Sequence, residues 1–506
     1  MSAPQQAAGE AATTTTEAVD GAALLEQITK AAKLPTGADA EEKRTRQRGL
    51  EALNEFIAAA MEPGQLVSAD FEKTVNYWIA EIDKKLSDQL NAILHAPQFQ
   101  QLESTWRGLN YLIMNSETGE KLKIRVIDTT KREILKDLEG AAEFDQSQLF
   151  KKIYESEYGM LGGHPYGLLI GDYDFDVHRA ADVGLLKGMA GIAAAAHAPF
   201  VSAVSPKAFN MESFTELPNP RDLAKIFDSV DFAPWKSFRE APDSRYVALT
   251  MPRVLARYPY GEKYKQIDEF NYEEDVDGTD HHKYLWMNSA WAFGTRVTDA
   301  YSKYGWLAKI RGVEGGGKVE GLPVCTFKTD EGDVAMKCPT EVSITERREN
   351  ELSGLGFLPL IHCQGRDFAA FIGSQSCQKP DKYEGAMGDY ATANAALSAK
   401  INMILCVSRF AHYLKVMIRD KVGNFMERED LEKWLNNWIR CYTVDPTSNP
   451  DDETRAKYPL ASAVVKVESV PGQPGYYKAV AHLRPHFQLE GVDMSLRLVA
   501  QQLGGQ

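Results

Sequence analysis

The 506-residue chain is 44% hydrophobic and 25% charged, and its 57 Lys and Arg against 71 Asp and Glu leave a net charge of −14. That balance opposes a general nucleic-acid or anionic-membrane binder, which needs a positive field. Six cysteines without CxxC pairing suit a reducing compartment and free thiols rather than a disulfide framework, and the length predicts roughly two to four domains.

Residues 1–20 are Ala, Thr, Gln and Glu with almost nothing to bury, which predicts a disordered tail. They carry no basic n-region followed by an apolar stretch, so no Sec export is expected. No continuous apolar run reaches bilayer-spanning length, so no membrane insertion is expected. Met61-Glu62-Pro63-Gly64 breaks the arm that follows. Val75, Ile79, Ile82, Leu86 and Leu90 then recur at helical spacing and form one apolar stripe. Ser68 or Asp70 is placed to cap this helix, and His95-Ala96-Pro97 ends it. The stripe needs a partner helix or a domain surface.

The middle of the chain reads as β–α–β–α–β. Strands are expected at 122–129, 166–175 and 199–205, with helices near 144–157 and over 180–197. This order predicts an α/β domain with a mostly parallel sheet. Residues 305–380 hold short β-like runs between Gly and Pro, and residues 378–381 read as a linker. A long helix is expected over 392–422 and a second over 428–441, with Leu431, Trp434, Leu435 and Trp438 on one face. Two alternating segments, 461–468 and 476–484, predict a β-hairpin.

Candidate chemistry fails on its own terms. Gly312 to Lys318 fits G-x-x-x-x-G-K, but Val319 replaces the Mg²⁺-binding Ser or Thr and no helix follows. Asp172, Asp174 and Asp176 lack the Gly and Glu of a Ca²⁺ loop and read as solvated carboxylates at a strand end. His281-His282 beside Asp277 and Asp280 reads as an exposed polar turn. His362 and Cys363 are adjacent on a strand, point to opposite faces and make a poor dyad. No catalytic residue, cofactor or metal ligand is expected.

Several long segments resemble one family. They include LNAILHAPQFQQLESTWRGLNYLI (90–113), MPRVLARYPYG (251–261), the block from Tyr301 to Cys363, FIGSQSCQKPDKY (371–383) and SRFAHYLKVMIRDKVGNF (408–425). On these the chain resembles the large subunit of the type VI secretion contractile sheath, TssC, also called VipB or EvpB. The resemblance implies a phage-tail-sheath-like mixed α/β fold without enzymatic activity. It implies an N-terminal arm over 21–94, a middle α/β domain over 95–380 and a C-terminal, tube-facing inner domain over 381–506. The implied partners are the small sheath subunit (TssB/VipA), further copies of the chain, the Hcp inner tube, a baseplate and an AAA+ recycling ATPase, in the cytoplasm of a Gram-negative bacterium. Contraction of the resulting helical sleeve would propel tube and spike. The alternatives are a tail-sheath subunit of another phage-like injection machine and, in a different class, a P-loop-like enzyme resting on Lys318.

Two residue sets follow from that resemblance. Arg419, Asp420, Lys421, Glu427, Arg428, Glu429 and Asp430 alternate in sign around a helix break and are expected to include the tube contacts. A lone hairpin is marginal in water and its edges are templates for further strands. Val465, Val467, Ala479 and Val480 are therefore expected to take part in strand exchange, with Gln65, Leu66 and Val67 of a neighbouring arm as one donor. The stripe on the first long helix is expected to meet a partner helix.

Overall fold

The computed structural model describes residues 71–486, apart from 221, 268–269, 279, 329–331, 333, 386–387, 425, 446–448 and 472–476, together with scattered positions between 43 and 55. Contacts divide the chain into two compact units. One contains α1 (Phe71–Leu94) and the stretch Tyr260–Glu274, where the Tyr272 hydroxyl donates to Asn91 Oδ1 at 2.7 Å. The other contains His95–Pro259 and everything from Asp275 onward.

In the larger unit a parallel sheet is sandwiched between helical layers. Its strands are β1 (Leu169–Phe175), β2 (Phe200–Val204), β3 (Val247–Met251) and β4 (Phe357–Pro359), adjacent in that order. The described α-helices of eight residues or more in this unit before β4 are α2 (Pro97–Met114), α3 (Lys131–Gly140), α4 (Ala180–Ala196), α5 (Ala233–Glu240), α6 (Ser289–Tyr304) and α7 (Glu346–Gly354). Strand alternation sends Phe200, Val204, Val247, Leu249 and Phe357 into one core with α4 and α5. It sends Val201, Ala248 and Leu358 into a second core with α6. Burial on both faces explains why β2 and β3 read as apolar runs interrupted only by Ser202 and Thr250.

The bulge in β1 between Ile170 and Asp174 is patched from β2. The Ser202 hydroxyl lies 2.8 Å from the carbonyls of both Gly171 and Tyr173, so a polar side chain completes a ladder that the backbone leaves open. Small residues set the helical layer behind the sheet. A Cβ at Gly108 of α2 would sit 2.3 Å from the Trp291 indole of α6, and one at Gly294 of α6 would sit 2.6 Å from Ile170 of β1.

The C-terminal part adds α8 (Gly388–Ser398), α9 (Ile401–Asp420), α10 (Arg428–Arg440) and the hairpin β5 (Leu460–Ser469) and β6 (Tyr477–Pro485). Trp306 stacks on Phe410 at 3.9 Å between ring centroids, at the centre of a third core with Leu431, Leu435, Ile439, Val465 and Val467. α9 is the one described helix with the length and hydropathy of a membrane span, and 56% of its apolar window is buried inside the molecule.

Three sequence expectations are corrected here. Residues 122–129 are extended but pair with no strand. The helix expected over 392–422 is two helices, because Ser374 to Ser376 inserts at the join. Ile401 N donates to Ser374 O at 2.7 Å, Ser376 N to Ala399 O at 3.1 Å, and the Ser376 hydroxyl to the same carbonyl at 2.6 Å. Beyond it, Cys377 N donates to Val247 O and Lys379 N to Arg239 O, both at 2.9 Å, so the start of the presumed linker is pinned to the sheet domain.

The α2–α6 contact gives a test. Gly108→Ala should cost about 1–3 kcal/mol by overpacking, read as a lower denaturation midpoint with an unchanged m-value. Gly119→Ala, with nothing within 4 Å of its new methyl, is the matched control and should be neutral.

Candidate assembly surfaces

The glycine loop is built for the fold rather than for phosphate. Gly317 N donates to Gly312 O at 2.9 Å, Gly312 N to Phe371 O at 2.7 Å, and Phe371 N to Gly317 O at 3.0 Å. Two of the loop's amides, those of Gly312 and Gly317, are thereby used within the fold. Lys318 pairs with Glu320 and lies 4.4 Å from the Phe368 ring centroid.

Other chemical candidates are likewise tied. His281 is buried rather than exposed, stacked on Trp286 and 3.0 Å from Glu341 Oε1 through Nε2. Asp172 accepts from the Thr105 hydroxyl at 2.5 Å and from Trp291 Nε1 at 3.2 Å. Burial raises its pKa despite those bonds. Asp174 pairs with Arg253 at 2.6 Å. His362 does not engage Cys363; its ring hydrogen-bonds the Cys338 thiol while Nε2 faces Arg366 O at 2.7 Å. Burial opposes ionisation of Cys338, but the bonds to His362 and Thr340 outweigh it and lower its pKa. Among the described residues no three His, Cys, Asp or Glu side chains gather as a metal site.

The surfaces left open are of another kind. On α1, Ile79, Ile82 and Leu86 of the expected stripe are exposed at 50%, 49% and 44%, while Val75 and Leu90 are half-buried. Trp78 and Leu94 are the buried hydrophobics of that helix. In the larger unit a groove of about 1430 Å³ runs between β1, residues 120–132 and α2. Leu102 and Trp106 of α2 line it at 56% and 64% exposure, and Val126 at 66%. The sequence shows these residues but not their grouping, because the extended segment looks like any paired strand.

The hairpin has one closed and one open edge. Asn436 of α10 donates through Nδ2 to Val465 O at 2.7 Å and accepts from Val465 N at 3.0 Å, while Glu432 accepts from Val467 N at 2.9 Å. Further along, Val444 N donates to Leu460 O and Leu460 N to Tyr442 O. The expectation that both edges are templates is therefore corrected for β5: side chains of α10 occupy the outward backbone groups of Val465 and Val467. Their cross-strand partners are Ala481 and Ala479, and Val480 faces Lys466. Among the described residues β6 pairs with β5 alone. Gln65, Leu66 and Val67 lie outside the described residues.

The charged set divides in the same way. Arg419 Nη1 donates to the carbonyls of Tyr158 at 3.4 Å and Met160 at 2.9 Å, so it clamps a turn of its own chain. Lys421 lies 4.8 Å from the Trp434 ring centroid and is half-buried. Asp420, Glu427, Arg428, Glu429 and Asp430 are exposed, with Arg428 and Glu429 paired at 3.6 Å.

A molecule whose ionisable clusters are internally paired, and whose open features are strand edges and apolar faces, is built to be joined to other chains. Two family profiles match it. One, described as the EvpB/VC_A0108 tail sheath N-terminal domain, covers residues 76–378; the other, the gpW/gp25-like domain of the same tail sheath, covers 390–502. The chain belongs to the EvpB tail sheath family. This EvpB-family chain is 50% identical over 461 residues to the type VI secretion system sheath protein TssC1 of Pseudomonas aeruginosa, spanning 91% of the chain and 92% of that relative. It is a structural subunit of the type VI secretion sheath.

Two cryo-EM structures of the anti-feeding prophage also resemble it. A baseplate chain has a TM-score of 0.38 at 10% identity, over 77% of this chain and 86% of that one. A contracted helical sheath chain has a TM-score of 0.33 at 11% identity, over 62% and 66%.

The β5 edge gives the test of this region. Asn436→Ala leaves Val465 N and O without partners and should cost about 1–3 kcal/mol. Asn436→Asp, which keeps the acceptor for Val465 N but loses the donor to Val465 O, should fall between Ala and the parent in thermal unfolding.

Proposed function

We propose that this EvpB-family chain pairs with the small sheath subunit (TssB/VipA), and that the pairs polymerise as a helical sleeve around an Hcp tube on a baseplate. The observation that carries the reading is the 50% identity to TssC1 across 91% of the chain. In this reading residues 95–380 form the outer α/β part and 381–506 the inner part facing the tube. The arm 21–94 supplies the α1 stripe and a strand for a neighbour.

Contraction needs no chemical step by the chain. A sheath assembled in a metastable packing releases free energy when its subunits rotate and slide into a tighter one, held back until then by a kinetic barrier. The chain is then not an enzyme, and an AAA+ ATPase acts only afterwards, on the contracted polymer. The proposed location is the cytoplasm, with the sheath docked on an envelope-bound baseplate. The open β6 edge supports strand exchange between subunits, because each added strand contributes backbone hydrogen bonds of about 1 kcal/mol net apiece.

Co-expression with the small subunit tests the reading. The chain alone should be poorly soluble, and the pair should give hollow tubes with cogwheel ends in negative-stain micrographs. A stable, monodisperse monomer that forms no tubes with the small subunit would refute it.

Within the charged set, the tube contacts are assigned to the exposed members Asp420, Glu427, Arg428, Glu429 and Asp430. Reversing Asp420 and Glu429 to Lys should impair assembly around Hcp while leaving the heterodimer intact on size exclusion. Unchanged Hcp-dependent assembly would remove these residues from the contact.

A further inference from the structure

The pair formed by Cys338 and His362 has the build of a reactive thiol, and sheath assembly gives it no task. Two segments distant in sequence bring it together. Cys338 follows the hairpin of Thr326–Lys328 and Val334–Met336, and His362 lies in the short strand Ile361–His362, paired with Ala369–Ala370. Cys338 is half-exposed while His362 is buried, so the base lies behind a residue that solvent reaches.

His362 is held in one tautomer. Its Nε2 lies 2.7 Å from the Arg366 carbonyl oxygen, which can only accept, so Nε2 carries the hydrogen. Nδ1 is then the nitrogen that meets the Cys338 thiol, with its lone pair open to the thiol proton. A thiol, a base and a third group that orients the base are the parts of an activated nucleophile.

The sulfur also sits among donors. Cys338 Sγ lies 3.1 Å from the Thr340 hydroxyl oxygen. That hydroxyl reaches Val342 O at 2.9 Å and can rotate its proton to a charged sulfur. The Thr340 amide hydrogen-bonds the same sulfur. It is available because the bridge between Thr340 and Val254 uses the neighbouring residues: Leu255 N donates to Pro339 O at 2.8 Å and Glu341 N to Arg253 O at 3.0 Å. With a protonated His362, three donors converge on one sulfur, which favours the anion. The Lys337 ammonium, donating to Gly278 O at 3.2 Å, adds a positive charge within electrostatic reach of that sulfur. Burial lowers the pKa of His362, but its bonds to Cys338 and Arg366 outweigh this and raise it, in the opposite direction to the thiol.

Other cysteines are differently placed. Burial pushes the thiols of Cys377 and Cys406 up to about 12. Exposed Cys441 donates its thiol to Asn437 O at 3.4 Å, a bond that keeps the proton on sulfur.

We propose that Cys338 is a modification site for low-molecular-weight disulfides, with His362 as its base. Cys338 Sγ gives its proton to His362 Nδ1 and attacks one sulfur of R–S–S–R. The S–S bond of the reagent breaks, Cys338–S–S–R forms, and the leaving R–S⁻ takes the proton from His362. A second free thiol reverses the exchange, so the adduct is transient in a reducing compartment.

The test uses the full chain, alone and co-purified with the small sheath subunit, with oxidised glutathione as the probe. The adduct on each cysteine is timed by peptide mass spectrometry after acid quenching. Between about pH 8 and about pH 6 an ordinary thiol slows nearly a hundredfold as its thiolate fraction falls. Cys338 should slow at least about threefold less than a short unstructured cysteine peptide in the same tube, a ratio that cancels differences in access. His362→Gln, whose amide can still donate to Arg366 O but takes up no proton, should return Cys338 to the steep dependence of the peptide. No adduct on Cys338 in either preparation, or a pH dependence equal to that of the peptide, overturns the proposal. An unchanged Cys338 profile in His362→Gln overturns it as well. Should that variant not fold, the comparison of Cys338 with the peptide in the parent chain decides alone.

Discussion

Every buried strand must place its backbone donors and acceptors somewhere, and water cannot reach them once helices cover both faces of a sheet. In the larger unit that demand is met inside the sheet by β2 and β3, each with a strand on both sides. It is met at the β1 bulge by the Ser202 hydroxyl. At the margins the edges are treated differently. β4 is three residues long and ends in Pro359, which has no donor to offer. β5 is closed by Asn436 and Glu432. β1 has seven residues, no proline and an apolar helix beside it, and β6 is nine residues long. Of the four edges of this sheet and the hairpin, two are blunted and two are left available, which is the pattern of a chain with specified neighbours rather than of one with indiscriminate sticky edges.

Much of this architecture is legible in the residues. Helix α1 ends at Leu94, where His95-Ala96-Pro97 stops it, and its stripe is apolar at the expected spacing. The hairpin and α10 follow their alternation and period closely. Where reading along the chain fails, a partner distant in sequence decides the outcome. Residues 122–129 have the alternation of a strand, but pairing is a property of two segments, and among the described residues no second segment pairs with them. The stretch 392–422 has an unbroken helical pattern, yet Ser374 to Ser376 competes for its backbone at Ala399 and Ile401. β3 is not legible from the residues because VALTM is short and wholly buried, without the alternation that marks a half-exposed strand.

The same logic explains the charged residues. A run such as Arg419 to Asp430 has no intrinsic direction, so its sign pattern cannot say which members are spent internally. The fold decides that: Arg419 goes to two carbonyls and Lys421 to an indole face. His281 and Cys338 show the converse. Their polar neighbours in sequence suggest surface or inertness, but Glu341 lies sixty residues from His281 and His362 twenty-four from Cys338. Both pairings arise only because the fold brings distant segments together.

Placing assembly contacts on backbone edges has a mechanical consequence. An apolar patch alone lets partners slide across one another, because dispersion and hydrophobic contact have no preferred register. A ladder of hydrogen bonds has a register fixed by the pleat, and a slip of one residue turns every side chain to the wrong face. A sheath subunit that must rotate and slide against its neighbours without parting from them needs both kinds of contact. Sliding belongs at apolar or charged faces such as the α1 stripe, where the relative position can change at little cost. In the proposed sleeve retention falls to backbone edges such as that of β6, where it cannot. Breaking a seven-residue ladder requires several hydrogen bonds to fail together, at about 1 kcal/mol each net, while moving the whole joined body leaves them untouched. In the proposed sleeve this division of open surface separates the contacts able to change during a stroke from those that must survive it.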